Sequence, residues 1–286
     1  MNDRARNAIL GALVGDAAAL GLHWIYDTDE VRRRGGATPE FQPPGQYHAR
    51  RRAGDFTHYG DHAMVVIESL AERGRLDLDD YKARLLARFG DPGYDGYLDK
   101  ATKGLLSTRR GADDDQAGCF AKLAPIVARY LHDREREARI EAAIRVTHDH
   151  PKAVEFGLAA ATAIRVAILG ANAHGAVAAA VERGGEAGAL ALRALQAGPD
   201  HLAFAKEVGQ ACSVSQSFPV ALHAALHGPD FAASSRATIL AGGDSAGRLL
   251  VTGAIRGCTD PLPEDWLPRV TDCARVEWLL DQILGR

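Results

Sequence analysis

Two aspartates, Asp61 and Asp244, stand directly before long apolar segments with helical spacing. Asp61 opens DHAMVVIESLAE, and Asp244 opens DSAGRLLVTGAI. An aspartate at a helix start commonly caps the free amides and stabilises the helix by about 1 kcal/mol. Carboxylates that meet in one cleft can instead bind a hard cation such as Mg²⁺ or position a water for hydrolysis. The two residues are therefore predicted to be either helix caps or the acidic centre of a site.

Arg248 follows Asp244 by four residues, in the first turn of a predicted helix. The helix dipole disfavours a positive charge at that position. Two facing carboxylates repel each other, however, and a fixed guanidinium would relieve the repulsion. We therefore expect Arg248 to point into the cleft and pair with Asp61, Asp244 or both. The alternative is that it lies on the solvent side of its helix.

Several histidines add candidates for acid–base or metal chemistry. His62 follows Asp61, and such a pair could serve a hydrolysis that needs no metal. His58, His62, His148 and His150 also suggest a softer metal such as zinc. Because no HExxH motif or tight His/Cys set occurs, a zinc site is not predicted.

Helices must position these residues, because apolar residues recur at three- and four-residue spacing and alternating segments are few. The predicted helices cover residues 4–24, 61–72, 78–89, 116–131, 137–146, 154–169, 174–182, 187–197, 201–211, 220–226, 231–240, 245–258 and 275–284. Many are rich in alanine and glycine, which lets helix axes approach closely. We predict an all-α fold, a compact multi-helix bundle that forms a single domain over residues 1–286.

One long segment, residues 34–59, contains three prolines and few periodic apolar residues, so it is predicted to be an irregular loop. Its basic run, Arg50-Arg51-Arg52, is expected to be solvated. Loops longer than about 12–15 residues in a compact domain often carry function. The segment ends directly before the first aspartate motif, which favours a working cleft there.

Composition limits the classes of partner. The chain is 47% hydrophobic and 25% charged with a net charge of −3, so neither nucleic acid nor an anionic membrane is an expected partner. The apolar stretch 8–14 is interrupted by Asp16, and we predict no signal peptide and no membrane span. Four cysteines without a CxxC pair indicate reduced thiols and a cytoplasmic location. The oligomeric state is not predictable.

Five short motifs follow one another along the chain. They are GALVGDAAALG, the Gly-Asp helix start near residue 60, ADDDQAGCFAKLAPI, THDHP and GGDSAGRLLVTGAIRG. In this order they make the chain resemble the ADP-ribosylglycohydrolase family, including its jellyfish J1-crystallin relatives. The resemblance covers roughly residues 7–258 and implies an all-helical bundle with a central cleft.

The resemblance also implies a Mg²⁺ site, which metal-dependent members build from two motifs. In the early motif, Thr/Ser-Asp-Asp-Thr, this chain has Asp61 at the second aspartate, but Tyr59, Gly60 and His62 at the other positions.

The late family motif is Gly-Gly-Asp-x-Asp-Thr/Ser. Asp244 matches its first aspartate, whereas Ala246 and Gly247 replace the second aspartate and the hydroxyl residue. Two of the usual four carboxylates remain. We therefore expect one Mg²⁺ ion at most, held by Asp61 and Asp244.

Other residues of a nucleotide-sugar pocket follow from the same resemblance. Gly118, Cys119 and Phe120 lie where relatives bind phosphate through the free amides of a helix start. The histidine that matches His148 contacts the ligand in relatives. The glutamate that some relatives carry after the first helix is missing or has moved to Asp27. An ordinary helix start and a structural histidine remain the alternatives for the first two features.

The leading functional hypothesis is a hydrolase that cleaves an N- or O-glycosidic bond to ADP-ribose or a related nucleotide sugar. Its substrate would be a small nucleotide sugar or an ADP-ribosylated molecule, with Asp61, Asp244, His62 and Arg248 as catalytic candidates. A non-catalytic ligand-binding or crystallin-like structural homologue is one alternative. A metal-independent hydrolase of a different substrate, using Asp61, His62 and Arg248, is the other.

Overall fold

Helices make up all the regular secondary structure between residues 3 and 285, the part of the chain that this computed structural model describes. The α-helices are α1 Asp3–Ala19, α2 Thr28–Gly35, α3 His58–Arg73, α4 Leu78–Gly90, α5 Lys100–Thr108, α6 Leu123–Arg129, α7 Arg136–Thr147, α8 Pro151–Ile168, α9 Ala173–Val181, α10 Gly185–Gln196, α11 His201–Val208, α12 Val214–His227, α13 Phe231–Leu240, α14 Ser245–Thr259 and α15 Cys273–Leu284. Short 3₁₀ helices cover Leu20–Leu22, Gln46–His48, Ala117–Lys122 and Leu267–Arg269. The predicted all-α fold is confirmed.

Two helices, α2 and α5, are not predicted from the apolar spacing. They have eight and nine residues, too few for a helical period to show clearly. Each begins after an aspartate cap. Asp27 accepts bonds from the amides of Asp29 and Glu30, and Asp99 accepts one from the amide of Thr102. The caps were therefore the only local signal for these two helices.

Helices α1 and α14 cross at the centre of the hydrophobic core. Gly11 and Gly253 face each other there, and a Cβ added to Gly11 would lie 2.2 Å from the carbonyl oxygen of Gly253. The segment Asp3–Leu22 is long and apolar enough to cross a bilayer, yet 89% of its apolar stretch is buried inside the protein. Packing against α14 accounts for its apolar composition.

Helix α3 begins three residues before the predicted start. Thr57 is its N-cap, and its hydroxyl accepts a bond from the amide of Tyr59 at 3.1 Å. The buried carboxylate of Asp16 accepts bonds from the amide and hydroxyl of Thr57 at 2.8 and 2.5 Å, which ties α1 to the start of α3. Asp61 is therefore an internal residue of the first turn rather than a cap. His58 becomes the first helical residue.

The segment 34–59 is ordered by several contacts rather than being one irregular loop. Its first residues end α2, its last two begin α3, and a 3₁₀ helix covers Gln46–His48. Glu40 is buried and pairs with Arg236 at 2.6 Å. The segment thereby brings its middle part against the interior of the protein.

The segment 116–131, predicted as one helix, is a 3₁₀ helix followed by α6. Pro125 explains the break, because proline has no amide to donate and is tolerated only in the first turn of a helix. The six residues of the 3₁₀ helix, Ala117–Lys122, are all buried.

Candidate functional site

Three histidines from separate segments meet inside the protein, and we call them the histidine centre. His23 follows the first 3₁₀ helix, His48 ends the second, and His58 begins α3. One ring nitrogen from each lies within 4.8 Å of the other two, and the residues are 4%, 2% and 0% exposed. Sequence reasoning considered only His58 and predicted no such set. Nothing in the spacing of the three positions links them.

The rings of the histidine centre keep nitrogen atoms without partners. Both nitrogens of His48 and His58, and Nε2 of His23, have no hydrogen-bond partner in the described structure. Nδ1 of His23 accepts a bond from the amide of Ala246 at 3.3 Å. Burial lowers the pKa of His48 to about 3 and that of His58 to about 4, and it lowers the pKa of His23 as well. All three rings are therefore neutral at pH 7.

Asp99 is a buried carboxylate beside the histidine centre that the sequence analysis missed. Its Oδ2 lies 3.6 Å from Nε2 of His58, while Oδ1 caps α5. Burial opposes its ionisation, but His58, His62 and His148, together with a hydrogen bond from the side chain of Thr102, hold the pKa of Asp99 below its usual value. Asp99 is thus an ionised carboxylate at neutral pH.

Asp244 lies on another side of the histidine centre. Its Oδ1 is 3.8 Å from Nε2 of His23 and has no hydrogen-bond partner, while Oδ2 accepts a bond from the hydroxyl of Ser217 at 3.3 Å. Asp244 occupies the N-cap position of α14, yet its side chain accepts no capping bond. Burial raises its pKa, and the nearby charge of Arg248 opposes that rise.

Arg248 is fully buried, so it does not lie on the solvent side of its helix. Its Nη1 donates to the carbonyl oxygen of Gly242 at 2.8 Å, and Nε and Nη2 have no partner among the described residues. The guanidinium therefore acts on Asp244 through its field rather than through a direct ion pair.

Asp61 has other partners. Its Oδ2 accepts bonds from Arg51 and from the hydroxyl of Tyr94, both at 2.7 Å. Positions two apart on a helix point to different sides, so Asp61 and Tyr59 cannot face the same neighbour. Tyr59 faces the interior near Asp244. Burial raises the pKa of the Tyr59 hydroxyl, and the nearby carboxylate of Asp244 raises it further. The structure therefore does not bring Asp61 and Asp244 together, and Arg51 is not part of a solvated basic run.

The residues present do not fit a Mg²⁺ ion shared by Asp61 and Asp244. Asp61 is held by two hydrogen-bond donors, and Asp244 offers one free oxygen beside an imidazole. Mg²⁺ prefers oxygen ligands in near-octahedral geometry. The expected single Mg²⁺ site therefore has no ligand set of the predicted kind here.

A pocket of about 240 Å³ is lined in part by two residues that contact the histidine centre, Trp24 and Asp99. Its lining comprises Trp24, Tyr26, Tyr47, Tyr97, Asp99, Lys100, Gln116 and Cys212. We call it the aromatic pocket. The ring centroid of Trp24 lies 4.4 Å from that of His23, 5.2 Å from that of His58 and 4.7 Å from that of Tyr97. Asp99 belongs both to this lining and to the surroundings of the centre.

Trp24 adopts a backbone conformation that is unusual for a residue with a side chain, with φ of 63°. Its amide donates to the carbonyl of Gly243 at 2.8 Å, and its indole N–H donates to Sγ of Cys212 at 3.1 Å. The loop before Asp244 therefore holds the strained tryptophan at the edge of the pocket.

Comparison with known proteins identifies the fold and the family. A family model described as ADP-ribosylglycohydrolase matches residues 1–286. The chain belongs to the ADP-ribosylglycohydrolase family. A solved structure named "ADP-ribosylglycohydrolase-related protein complex" matches with a TM-score of 0.76 and 24% identity, covering 99% of this chain and 97% of the other.

Two relatives match over nearly their whole length. Crystallin J1A of Tripedalia cystophora is 25% identical, with coverage of 94% of this chain and 92% of its own. An uncharacterized protein of Archaeoglobus fulgidus is 27% identical, with coverage of 99% and 96%. Membership of the ADP-ribosylglycohydrolase family supports a hydrolase-like function, and the crystallin shows that relatives include a protein named for another role.

Gly118, Cys119 and Phe120, predicted as a phosphate-binding helix start, lie in a buried 3₁₀ helix. Gly118 instead packs against His148, because a Cβ there would lie 3.0 Å from the imidazole and 3.3 Å from Asp99. His148 is buried with its Nε2 unpartnered. These residues therefore pack in the interior near Asp99, and none of them is part of the lining of the aromatic pocket.

His62 and Asp27 lie away from the predicted acid–base arrangement. Nε2 of His62 bonds the hydroxyl of Thr102 at 2.8 Å, and its ring stacks on Phe89 with centroids 4.2 Å apart. Asp27 caps α2 and lines a different pocket of about 480 Å³.

Proposed function

We propose that this member of the ADP-ribosylglycohydrolase family hydrolyses a glycosidic bond to ADP-ribose, or to a related nucleotide sugar, in the aromatic pocket. One observation carries the proposal: Asp99 lines the pocket and lies beside a buried histidine centre that Asp244 flanks on another side. Glycoside hydrolysis passes through an oxocarbenium-like state and commonly uses two carboxylates. Family membership supports the hydrolytic class of reaction.

The two carboxylates have environments that separate their roles. Asp99 has a lowered pKa and stays ionised, which suits it to stabilise developing positive charge on the sugar or to accept a proton from water. Burial raises the pKa of Asp244, which suits it to donate a proton to the leaving group. Pairs of groups whose surroundings push their pKa values apart are typical of acid–base sites.

The aromatic pocket supplies binding groups for the rest of such a substrate. Trp24 and Tyr97 present faces on which an adenine ring can stack. Lys100 lies at the same mouth, where its positive charge suits a diphosphate. The proposal keeps Asp244 from the sequence analysis and replaces Asp61 with Asp99.

The metal-independent alternative built on Asp61, His62 and Arg248 loses support. Each of the three is engaged by a different partner, namely Arg51, Thr102 and Gly242.

The test is release of ADP-ribose from two peptides, one carrying ADP-ribose on serine and one on arginine, in the presence of a chelator. We expect turnover of at least one peptide, and a loss of about 10²–10⁴-fold in Asp99→Asn and in Asp244→Asn. Asp77→Asn is the matched control, since Asp77 caps α4 as Asp99 caps α5 but lies outside the pocket. Equal losses in the control, or unchanged turnover in both site variants, would contradict the proposal.

A non-catalytic binding protein is the second candidate. It is favoured by the similarity to Crystallin J1A and by the engagement of Asp61 with Arg51 and Tyr94. In the same assay, it would bind free ADP-ribose without releasing any from either peptide.

A further inference from the structure

We propose that His23, His48 and His58 form a binding site for one divalent transition metal ion of the zinc class. The inference goes beyond the proposed hydrolysis, because the ion would bind to the protein regardless of which substrate fills the pocket. It rests on three nearly inaccessible rings whose nitrogens lie within 4.8 Å of one another. Their residues come from three separate segments of the chain, which only the folded structure brings together.

The nitrogens of this cluster lack the partners that buried polar atoms normally have. Five of the six ring nitrogens form no hydrogen bond, and the sixth, Nδ1 of His23, accepts one long bond from Ala246. Buried polar groups are nearly always paired, so several adjacent unpaired nitrogens call for a ligand. A metal cation can accept the lone pairs of three neutral imidazoles together.

The spacing fits coordination after a small inward movement. Zinc–nitrogen bonds of about 2.0–2.1 Å place tetrahedral ligand nitrogens about 3.3 Å apart. His48 lies on a three-residue 3₁₀ helix and His23 directly follows another, so neither is held within a long helix. If Nε2 of His23 bound the ion, the ring proton would lie on Nδ1. The long hydrogen bond from the amide of Ala246 to Nδ1 would then be lost.

The donor set determines the class of metal. Imidazole nitrogens suit zinc, cobalt, nickel and copper, whereas Mg²⁺ selects oxygen ligands. Three protein ligands leave a fourth position for water, as in catalytic zinc sites. The unpartnered Oδ1 of Asp244, 3.8 Å from Nε2 of His23, is within reach of the ion or of its water.

The nearby carboxylate of Asp99 favours a cation at this place. Asp99 lies 3.6 Å from His58, so it can offset one positive charge, whereas the buried guanidinium of Arg248 near His23 opposes one. The nearby Arg51 is neutralised by Asp61 and Asp95 at 2.7 and 3.0 Å. The aromatic pocket lies on the other side of Trp24 and Asp99, which both line it and lie next to the cluster.

The test uses Co²⁺ as the probe, because its visible absorption reports the number of ligands. Protein freed of metal by dialysis against a chelator is titrated with CoCl₂. We expect bands of four- or five-coordinate intensity that saturate at one ion per chain, disappear on addition of Zn²⁺ and persist in excess Mg²⁺. In His48→Gln, the dissociation constant for Co²⁺ should rise at least about tenfold.

His223→Gln is the matched control, because His201 and His223 form another buried histidine pair with their Nδ1 atoms 3.2 Å apart. It should retain cobalt binding. His48→Gln removes no hydrogen bond, and its fold is checked by thermal unfolding. If that variant fails to fold, the wild type provides the test. An ion that binds the folded state stabilises it, so Zn²⁺ must raise the Tm of the metal-free wild type.

No saturable cobalt binding, unchanged binding in His48→Gln, or binding lost in His223→Gln would overturn the inference. Failure of this site leaves the proposed hydrolysis standing, since turnover is assayed with a chelator present. Conversely, cobalt binding without turnover of either peptide would retain the metal site and remove the hydrolase.

Discussion

At the scale of single residues, Asp61 and Asp244 are both buried but have different partners, although their sequence motifs look alike. Asp61 and Arg51 form a largely enclosed pair, with side chains 4% and 11% exposed. Breaking the pair leaves Arg51 with only the more exposed carboxylate of Asp95, at 3.0 Å, to offset its charge. The role of Asp61 that follows from these contacts is to hold the segment that carries His48 and Arg51 against α3.

Asp61→Asn should therefore lower the free energy of unfolding by about 1–3 kcal/mol, because Arg51 loses a charged acceptor. Urea denaturation measures the change. The control is Asp29→Asn, which breaks an exposed pair with Arg32 and should change stability by less than about 0.5 kcal/mol. Equal effects of the two substitutions would show that Asp61 has no structural role.

The sequence motifs included two residues that lie near the histidine centre in the structure. Asp244 lies beside the centre, and His148 is buried next to Gly118 and Asp99; their functional roles stay predictions. Asp99 was missed because it precedes a nine-residue helix without a clear period. His23 and His48 were missed because they lie in segments whose positions depend on tertiary contacts rather than on local pattern.

At the scale of elements, the start of α3 decides which side chains face the interior. The apolar spacing places the start at residue 61, but the bonds between Asp16 and Thr57 place it at His58. A helix begins where its free amides find acceptors, and here one acceptor comes from 41 residues away. Periodicity alone could not reveal that acceptor.

The stability of the protein should depend on the titration of Asp16. Burial raises its pKa from 3.8 to about 7, with a further contribution from Asp61, against the bonds from Thr57. The folded state therefore binds more protons between those values, so stability falls as pH rises through that range. Asp16→Asn should remove up to about 1.4 kcal/mol per pH unit of this slope, measured by urea denaturation between pH 4 and 7. Parallel profiles for the two proteins would refute the assignment.

The crossing of α1 and α14 should tolerate no side chain. Gly253→Ala would place a Cβ 2.3 Å from the carbonyl oxygen of Gly11, so we expect a loss of about 1–3 kcal/mol in unfolding free energy. Gly90→Ala is the control, because its nearest neighbour would lie at 3.5 Å. That substitution should stabilise α4 by about 0.5–1 kcal/mol. Thermal unfolding of both variants measures these changes in stability. A loss of stability in Gly90→Ala but not in Gly253→Ala would contradict the prediction.

At the scale of the whole molecule, one core holds together residues that are far apart in sequence. The pocket lining comes from the segments around Trp24, Tyr47 and Tyr97 together with Asp99, and Asp244 is buried beside the histidine centre. The all-α fold class was predictable, since helical periods recur along most of the chain. The shape of the cleft was not, because it depends on short segments between helices.

The most direct test of the central claim is calorimetric titration of ADP-ribose into the wild type, Tyr97→Ala and Trp278→Ala. Trp278 is a 59% exposed aromatic residue on α15, outside the aromatic pocket, and serves as the control. The account predicts saturable binding to the wild type and to Trp278→Ala. It predicts a dissociation constant raised about tenfold, ~1.4 kcal/mol, in Tyr97→Ala. Absence of binding to the wild type, or equal weakening in both variants, would contradict a nucleotide-sugar site in the aromatic pocket.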